Sequence, residues 1–172
     1  MRLVIISLIF LVYTQTSALA AIGDFWKEER PVVGWVEKVK LEDAGFVVKA
    51  RMDTGAGMAS VDAEIIKIEP SKDPSKLGTV TFTIRDADDQ PKVLKREIVE
   101  WQEIKRKGGK GYMKRPVVKM KLCIAGKKIL GRVNLADRAN FLYPVLIGRN
   151  ILKTGDFMID PTKKFVHRPT CR

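Results

Sequence analysis

Short segments in which hydrophobic and polar residues alternate recur along most of the chain. Thr79–Ile84 alternates throughout, and Val32–Leu41 alternates more loosely, as expected for strands with one buried face. In Pro116–Ile124 the alternation places apolar side chains on one face, and two lysines and Cys123 on the other. The alternation in these segments predicts β-strands.

The rest of the chain continues this pattern, with turns or loops predicted at Glu42–Gly45 and Pro70–Gly78. One helical segment is predicted at Arg149–Thr154, where Gly155 ends it. Many short strands with little helix predict an all-β barrel or sandwich. The remaining predicted strands cover residues 45–52, 58–66, 93–104, 128–135, 157–159 and 164–167.

The first 20 residues have the pattern of a signal peptide. Arg2 gives a positive start, an apolar run extends from Leu3 to Val12, and Ala18-Leu19-Ala20 resembles a cleavage site. The run is short for a membrane-spanning helix, although an uncleaved anchor is the alternative. We therefore expect an exported protein, periplasmic or secreted. The expected organisation is a signal peptide over residues 1–20, an N-terminal lead-in over residues 21–31 and one folded domain over residues 32–172.

The chain is strongly basic, with a formal net charge of +12. The excess is concentrated between Pro91 and Arg132, where 14 Lys or Arg residues stand against 3 Glu. Such a stretch indicates an acidic partner or an anionic envelope surface, and it is equally typical of a solvated face. We expect no nucleic-acid partner, and membrane contact only through an uncleaved signal peptide.

The residues that commonly bind metals are scarce. The chain has two cysteines, Cys123 and Cys171, and one histidine, His167. It contains no H-E-x-x-H, C-x-x-C or G-x-x-x-x-G-K-[ST] motif. In an oxidising compartment the cysteines could form a disulfide, but their sequence separation does not show that they meet. We expect no metal site and no cofactor.

The candidate chemistry lies at Asp53-Thr54-Gly55-Ala56-Gly57, between two predicted strands. The two glycines permit a tight turn, because they tolerate backbone angles that a Cβ forbids. The carboxylate of Asp53 would therefore be held close to neighbouring backbone groups. Taken alone, the turn is more typical of ordinary β-turn chemistry than of a catalytic site.

Two further stretches change that interpretation: the glycine-rich segment Gly108–Tyr112, and Val145–Leu152, which reads Val-Leu-Ile-Gly-Arg-Asn-Ile-Leu. Together with the Asp-Thr-Gly-Ala turn and in this order, they resemble the retropepsins, the single-domain aspartic proteases of retroviruses. The resemblance implies a retropepsin-like (acid protease) closed barrel with one short helix near the C-terminus. It spans most of the chain, from about Val32 to Pro161.

A closer resemblance is to a bacterial retropepsin-like family long labelled ATP-dependent zinc proteases. It rests on Arg115–Val118, Leu135–Arg138, Tyr143–Arg149 and the pair Asp160-Pro161. That family usually has a basic residue and a Thr or Ser after the Ala of the turn, where this chain has Gly57 and Met58. This difference leaves the substrate contacts open.

The resemblance implies a role for each matching residue. Asp53 would be the catalytic carboxylate, with Thr54 and Gly55 completing the turn. The turn would be supported by Ala56, Gly148, Arg149 and Asn150. A substrate-binding flap would comprise Gly108, Gly109, Gly111 and Tyr112, although a plain surface turn is an equal alternative.

Arg149 has a specific expectation attached to it. In retroviral members an acid at the position of Gly57 pairs with the arginine that matches Arg149. The pairing must be absent in this chain or involve another acid, such as Asp62 or Asp137. An exposed charge is the alternative, and we expect a structural salt bridge.

The function implied is that of an exported aspartic endopeptidase. The paired carboxyls would be Asp53 from each copy of a homodimer, because one chain contains one Asp-Thr-Gly. Its substrate would be a peptide or protein, which could be acidic. The alternative is a peptide-binding module that has kept the fold and lost catalysis, and Gly57 and Met58 keep that reading open.

Overall fold

The computed structural model describes residues 30–105 and 111–171. The predicted signal peptide, nearly all of the lead-in, and Gly108 and Gly109 lie outside these ranges. No helix in the described ranges is long and apolar enough to cross a membrane. The elements, in chain order, are β1 (Val32–Leu41), β2 (Phe46–Met52), β3 (Ala59–Asp62), β4 (Glu64–Glu69), β5 (Thr79–Arg85), β6 (Pro91–Glu97), β7 (Glu100–Lys105), β8 (Tyr112–Ile124), β9 (Lys127–Ala136), β10 (Val145–Ile147), α1 (Arg149–Thr154) and β11 (Met158–Lys164).

The strands form two sheets. The larger sheet has the order β11-β1-β2-β10-β3-β9-β8-β7, and β4, β5 and β6 form a smaller antiparallel sheet. A short additional pairing joins β1 to β8 through Lys40 opposite Cys123 and Leu41 opposite Leu122. The expected all-β class with one short helix is confirmed, and the closed barrel stays a prediction.

Two segments that were each predicted as one strand are divided between the sheets. The segment 93–104 breaks at Ile98 and Val99, whose amides donate to Gly78 O and Val117 O. The segment 58–66 breaks at Ala63, whose amide donates to Ala136 O. Hydrophobic periodicity alone does not report such a crossing, because the chain stays extended on both sides of it.

The predicted strands 157–159 and 164–167 are corrected to one strand, β11, and an irregular tail. β11 runs through Pro161, and Phe165 has a positive φ of 54°. A left-handed backbone conformation at a bulky residue interrupts a strand. The tail, which begins at Phe165, then contacts β1.

The hydrophobic core lies on one side of the larger sheet. In β8, Val118, Met120, Leu122 and Ile124 are all fully buried, which confirms the predicted alternation. Cys123 is also buried, although it was expected on the polar face, because it forms a disulfide with Cys171. The disulfide anchors the C-terminal tail to the end of β8.

A buried carboxylate makes a second attachment of the tail. Glu37 on β1 is 1% exposed. Its Oε1 accepts the amides of Gly34 at 2.6 Å and Val166 at 3.0 Å, and its Oε2 accepts the amide of His167 at 3.3 Å. Hydrogen bonds of this kind are needed to offset the desolvation of a buried charge.

Candidate active site

Asp53 directly follows β2, where the chain leaves the sheet. Its amide donates to Ile147 O of the neighbouring strand β10 at 2.9 Å. Its Oδ1 accepts the amides of Gly55 at 2.9 Å and Ala56 at 3.2 Å. The turn therefore fixes one carboxylate oxygen, while Oδ2 makes no hydrogen bond within the described residues. An oxygen without a protein partner is available to water or to a second carboxyl.

The first two residues of α1 support this turn. The amides of Arg149 and Asn150 donate to the carbonyls of Ala56 and Gly57 at 2.8 and 3.2 Å. Asn150 also accepts the Ala59 amide on Oδ1 and donates from Nδ2 to Arg132 O, at 2.9 and 2.7 Å. The structure thus brings the turn and the predicted supporting residues together.

The salt bridge expected for Arg149 is not formed within the described residues. Its Nη1 instead donates to the carbonyl oxygens of Thr54 and Gly55, both at 2.8 Å. The two candidate acids are engaged elsewhere: Asp62 accepts the Arg138 amide at 2.6 Å, and Asp137 accepts the Ala139 amide at 3.0 Å. The guanidinium therefore supports the turn through its backbone carbonyls.

Polar side chains share one face of the larger sheet beside the turn. Arg51 pairs with Leu146, Leu146 with Ser60, and Ser60 with Asn134. Residues that stand opposite one another in a sheet project to the same face. We call this side the Arg51–Asn134 face. It is opposite to the hydrophobic core, which is formed by neighbours such as Val61 and Val133.

Arg138 is a buried charge near this face. Its Nε and Nη2 donate to Tyr143 O at 3.3 Å, and its guanidinium lies 4.5 Å from the centre of the Phe141 ring. Burial lowers the pKa of Arg138 from its usual value, Arg115 and Arg51 lower it further, and Asp62 and Asp53 oppose the shift. The negative charge of Asp53, the candidate catalytic carboxylate, therefore acts electrostatically on Arg138.

A cavity of about 720 Å³ lies beside the same region. Residues of both sheets line it, including Asp62, Ile65, Arg85, Arg115 and Asp137. The Nε of Arg115 is buried and has no hydrogen-bond partner in the described part of the chain. Within the described residues, no group of three or more His, Cys, Asp or Glu side chains could hold a metal ion.

The predicted flap is described only in part. Tyr112 is exposed and stands opposite Lys105 at the end of the β7–β8 pair. Gly111 has a φ of +102°, so its turn conformation favours glycine. The role of this hairpin as a flap stays a prediction.

Several residues of the site carried no signal in the sequence that assigned them a role. Arg51 and Ser60 lie in ordinary strand patterns, and Asn134 lies within a predicted strand. Arg138 occurs in the Leu135–Arg138 stretch of the resemblance, but its burial and its contacts with Phe141 and Tyr143 carried no sequence signal.

Comparison with known proteins gives two matches. Residues 32–170 match the sequence model of the RimB-like family, described as "Retropepsin-like aspartic endopeptidase RimB". A crystal structure of the protein Lpg0085 from Legionella pneumophila, of unknown function, is similar with a TM-score of 0.68 and 28% sequence identity. The similarity covers 81% of this chain and 100% of that one.

A search of curated proteins gives no match. The expected likeness to retropepsins is confirmed, whereas the closer likeness to the group labelled zinc proteases finds no support in either match. Because the family match spans most of the chain and includes the Asp53 turn, the chain belongs to the RimB-like family of retropepsin-like aspartic endopeptidases.

Proposed function

We propose that the protein is an exported aspartic endopeptidase, active as a homodimer whose two Asp53 carboxyls activate a water molecule. The observation that carries the proposal is the turn itself. Asp53 Oδ1 is fixed by the amides of Gly55 and Ala56, and Oδ2 has no partner within the described residues. Family membership supports the same chemistry.

The reaction needs two carboxyls that share one proton. The ionised carboxyl takes a proton from water, and the neutral carboxyl polarises the peptide carbonyl. Two carboxyls about 3 Å apart do not both ionise readily, so the pair retains its shared proton in acid. Each chain has one Asp-Thr-Gly, so a two-fold axis would supply the second carboxyl from another copy.

Three residues would make that pairing possible. Gly55 would let two turns approach, because it has no side chain; within one turn, a Cβ there would lie 3.1 Å from Asp53 Oδ1. Thr54, by resemblance to retropepsins, would hydrogen-bond across to the partner turn. Arg149 would keep the backbone of the turn rigid through its two carbonyl contacts.

Export is proposed from the signal-like pattern of residues 1–20. The disulfide between Cys123 and Cys171 supports this, because disulfides persist mainly in oxidising compartments. We also propose that Gly108, Gly109, Gly111 and Tyr112 form a flap. The basic stretch between Pro91 and Arg132 would then favour an acidic peptide substrate.

The experiment that tests the proposal is cleavage of a peptide library by the purified mature protein. We expect internal cleavage that a pepstatin-like hydroxyl inhibitor slows. Intact peptides after prolonged incubation with folded, dimeric protein would contradict endopeptidase activity.

The second candidate is an inactive retropepsin-like module that binds peptides. Gly57 and Met58 favour it, because they replace residues that usually follow the turn in the bacterial relatives. The module would bind peptides from the same library without cleaving them. Peptide binding that persists unchanged when Asp53 is replaced by Asn, together with no cleavage by either protein, would favour this candidate.

A further inference from the structure

Three polar side chains form a hydrogen-bonded row across the Arg51–Asn134 face. Ser60 Oγ lies 2.8 Å from Asn134 Oδ1, and Asn134 Nδ2 lies 2.8 Å from Gln102 Oε1. Ser60 and Asn134 are each 4% exposed, while Gln102 is half-buried. The row connects β3, which follows the Asp53 turn, to β7 at the edge of the larger sheet.

The side chain of Ser60 determines which end of the Asn134 amide faces Gln102. Within the described residues, Asn134 Oδ1 is the acceptor that satisfies the buried Ser60 hydroxyl. If the Asn134 amide turned over, that hydroxyl proton would lose its partner, which costs about 1–3 kcal/mol when the group is buried. Asn134 must therefore direct its Nδ2 towards Gln102.

This direction determines what Gln102 presents. Its Oε1 is engaged as an acceptor, so its Nε2 donors point away from Asn134. Nε2 has no hydrogen-bond partner within the described residues, and it is not fully buried. Gln102 thus offers a donor group, held in one orientation, at an accessible position.

The charges around Gln102 favour an oxygen ligand. Arg115 stands directly opposite Gln102 on β8 and makes no ion pair within the described residues. Two residues before Gln102, the carboxylate of Glu100 is paired with Arg132 at 2.9 Å. Glu100 is therefore paired, whereas Arg115 forms no ion pair within the described residues.

We propose that Gln102 is a specificity-determining residue, whose Nε2 donates to a substrate side chain that ends in an amide or carboxylate oxygen. The inference rests on the proposed endopeptidase function, because it assumes that the peptide lies along the Arg51–Asn134 face. A side chain without an acceptor would leave the Gln102 donor unpaired, and a site with an unpaired donor discriminates strongly against such a ligand.

The first test replaces Gln102 by Met, which has a similar length and no donor. Peptides that differ only in one residue near the scissile bond, carrying Glu, Gln, Leu or Lys, are compared by kcat/KM. The variant should lose about tenfold for the Glu or Gln peptide and little for the Leu peptide, as expected for one hydrogen bond. A greater loss of kcat/KM for the Glu peptide than for the Gln peptide would identify a carboxylate ligand. A greater loss for the Gln peptide would identify an amide ligand.

The matched control is the same replacement at Gln90, which lies in the exposed turn between β5 and β6. It should leave the order of the four peptides unchanged. An equal loss for all four peptides in Gln102→Met, or no loss at all, would overturn the proposal. An equal loss would indicate that Gln102 only positions the strand.

A second variant reverses the direction of the row. In Asn134→Asp both side-chain oxygens are acceptors, so Gln102 must turn its Nε2 inwards and present Oε1. Preference should move from the Glu or Gln peptide towards the Lys peptide. If the buried carboxylate prevents folding, Ser60→Ala serves instead, because it removes the group that sets the direction, and selectivity should then weaken without reversing.

Peptide binding measured by fluorescence anisotropy separates this inference from the proposed function. Selective binding that is lost in Gln102→Met, without cleavage by the unmodified protein, would support the role of Gln102 and contradict the endopeptidase. Cleavage with no selectivity among the four peptides would contradict the role of Gln102 and leave the endopeptidase standing. No detectable binding of any of the peptides would overturn the inference.

Discussion

Gly148 lies so close to Met58 that a Cβ on the glycine would stand 2.5 Å from the Met58 carbonyl carbon. The Met58 carbonyl belongs to the backbone, so it cannot move away from a Cβ at position 148 without displacing the strand that follows the Asp53 turn. The amides of Arg149 and Asn150, which hold the turn, come directly after this contact. The geometry of the turn therefore depends on the absence of a side chain at position 148.

The first prediction is that Gly148→Ala lowers the free energy of unfolding by about 1–3 kcal/mol, as for overpacking of a close-packed site. Chemical denaturation would measure it. Gly57→Ala is the matched control, because its nearest neighbour, Arg149 Nη2, would be at an ordinary 3.7 Å. Equal stability of the two variants would show that the close approach is not maintained in solution.

The second prediction concerns the catalytic carboxylate. Asp53→Asn should abolish peptide cleavage and leave the fold intact, because an amide does not share the proton that the paired carboxyls need. Cleavage rates and circular dichroism would measure the two effects. Asp88→Asn, at an exposed position in the turn between β5 and β6, controls for the loss of one acid. Full activity in a folded Asp53→Asn variant would remove Asp53 from the mechanism.

The third prediction is that activity needs no metal. Dialysis against a chelator should leave the cleavage rate unchanged, while a pepstatin-like inhibitor should lower it. The reason is that the chain has few of the side chains that zinc prefers. A rate that falls on chelation and returns with zinc would reverse this interpretation.

The fourth prediction is that the active form is a symmetric dimer. Specific activity should decrease on dilution, because monomers that separate lose the second Asp53 carboxyl. Light scattering at each concentration would relate the activity to the mass of the particle. An active monomer would require a second carboxyl within the chain. Asp62 and Asp137 would be the first candidates, although both accept backbone amides in this structure.

The fifth prediction is that acidic peptides are cleaved faster than neutral ones at low salt. Exposed charges act over about 8–10 Å at moderate ionic strength, so the advantage should shrink as salt is added. Charge reversal at Lys105, Arg106 and Lys107 should remove most of it.

The control for that prediction reverses three exposed lysines outside the basic stretch, which are Lys72, Lys76 and Lys153. This set changes the net charge equally and should keep most of the advantage. Equal kcat/KM for acidic and neutral peptides at low salt would indicate that the basic stretch faces solvent and does not contact the substrate.

The sequence by itself determined the features that depend on neighbouring residues. Alternation in Val32–Leu41, Thr79–Ile84 and Pro116–Ile124 predicted strands that the structure confirms, because a strand with one buried face needs that period. The helix at Arg149–Thr154 was predicted with its observed bounds. The Asp53 turn could likewise be located from its glycines, since the hydrogen bonds from the Gly55 and Ala56 amides to Asp53 Oδ1 lie within the turn itself.

Only the tertiary structure decided which distant groups meet. The strand breaks at Ala63 and Ile98 arise from hydrogen bonds to other strands, and these leave no periodic trace in the sequence. Arg149 contacts turn carbonyls 94 and 95 residues away, where sequence reasoning expected an acid. Pairing between strands brings Ser60, Asn134 and Gln102 into one row. Their order across the sheet is unrelated to their order in the chain, so the sequence does not show the row.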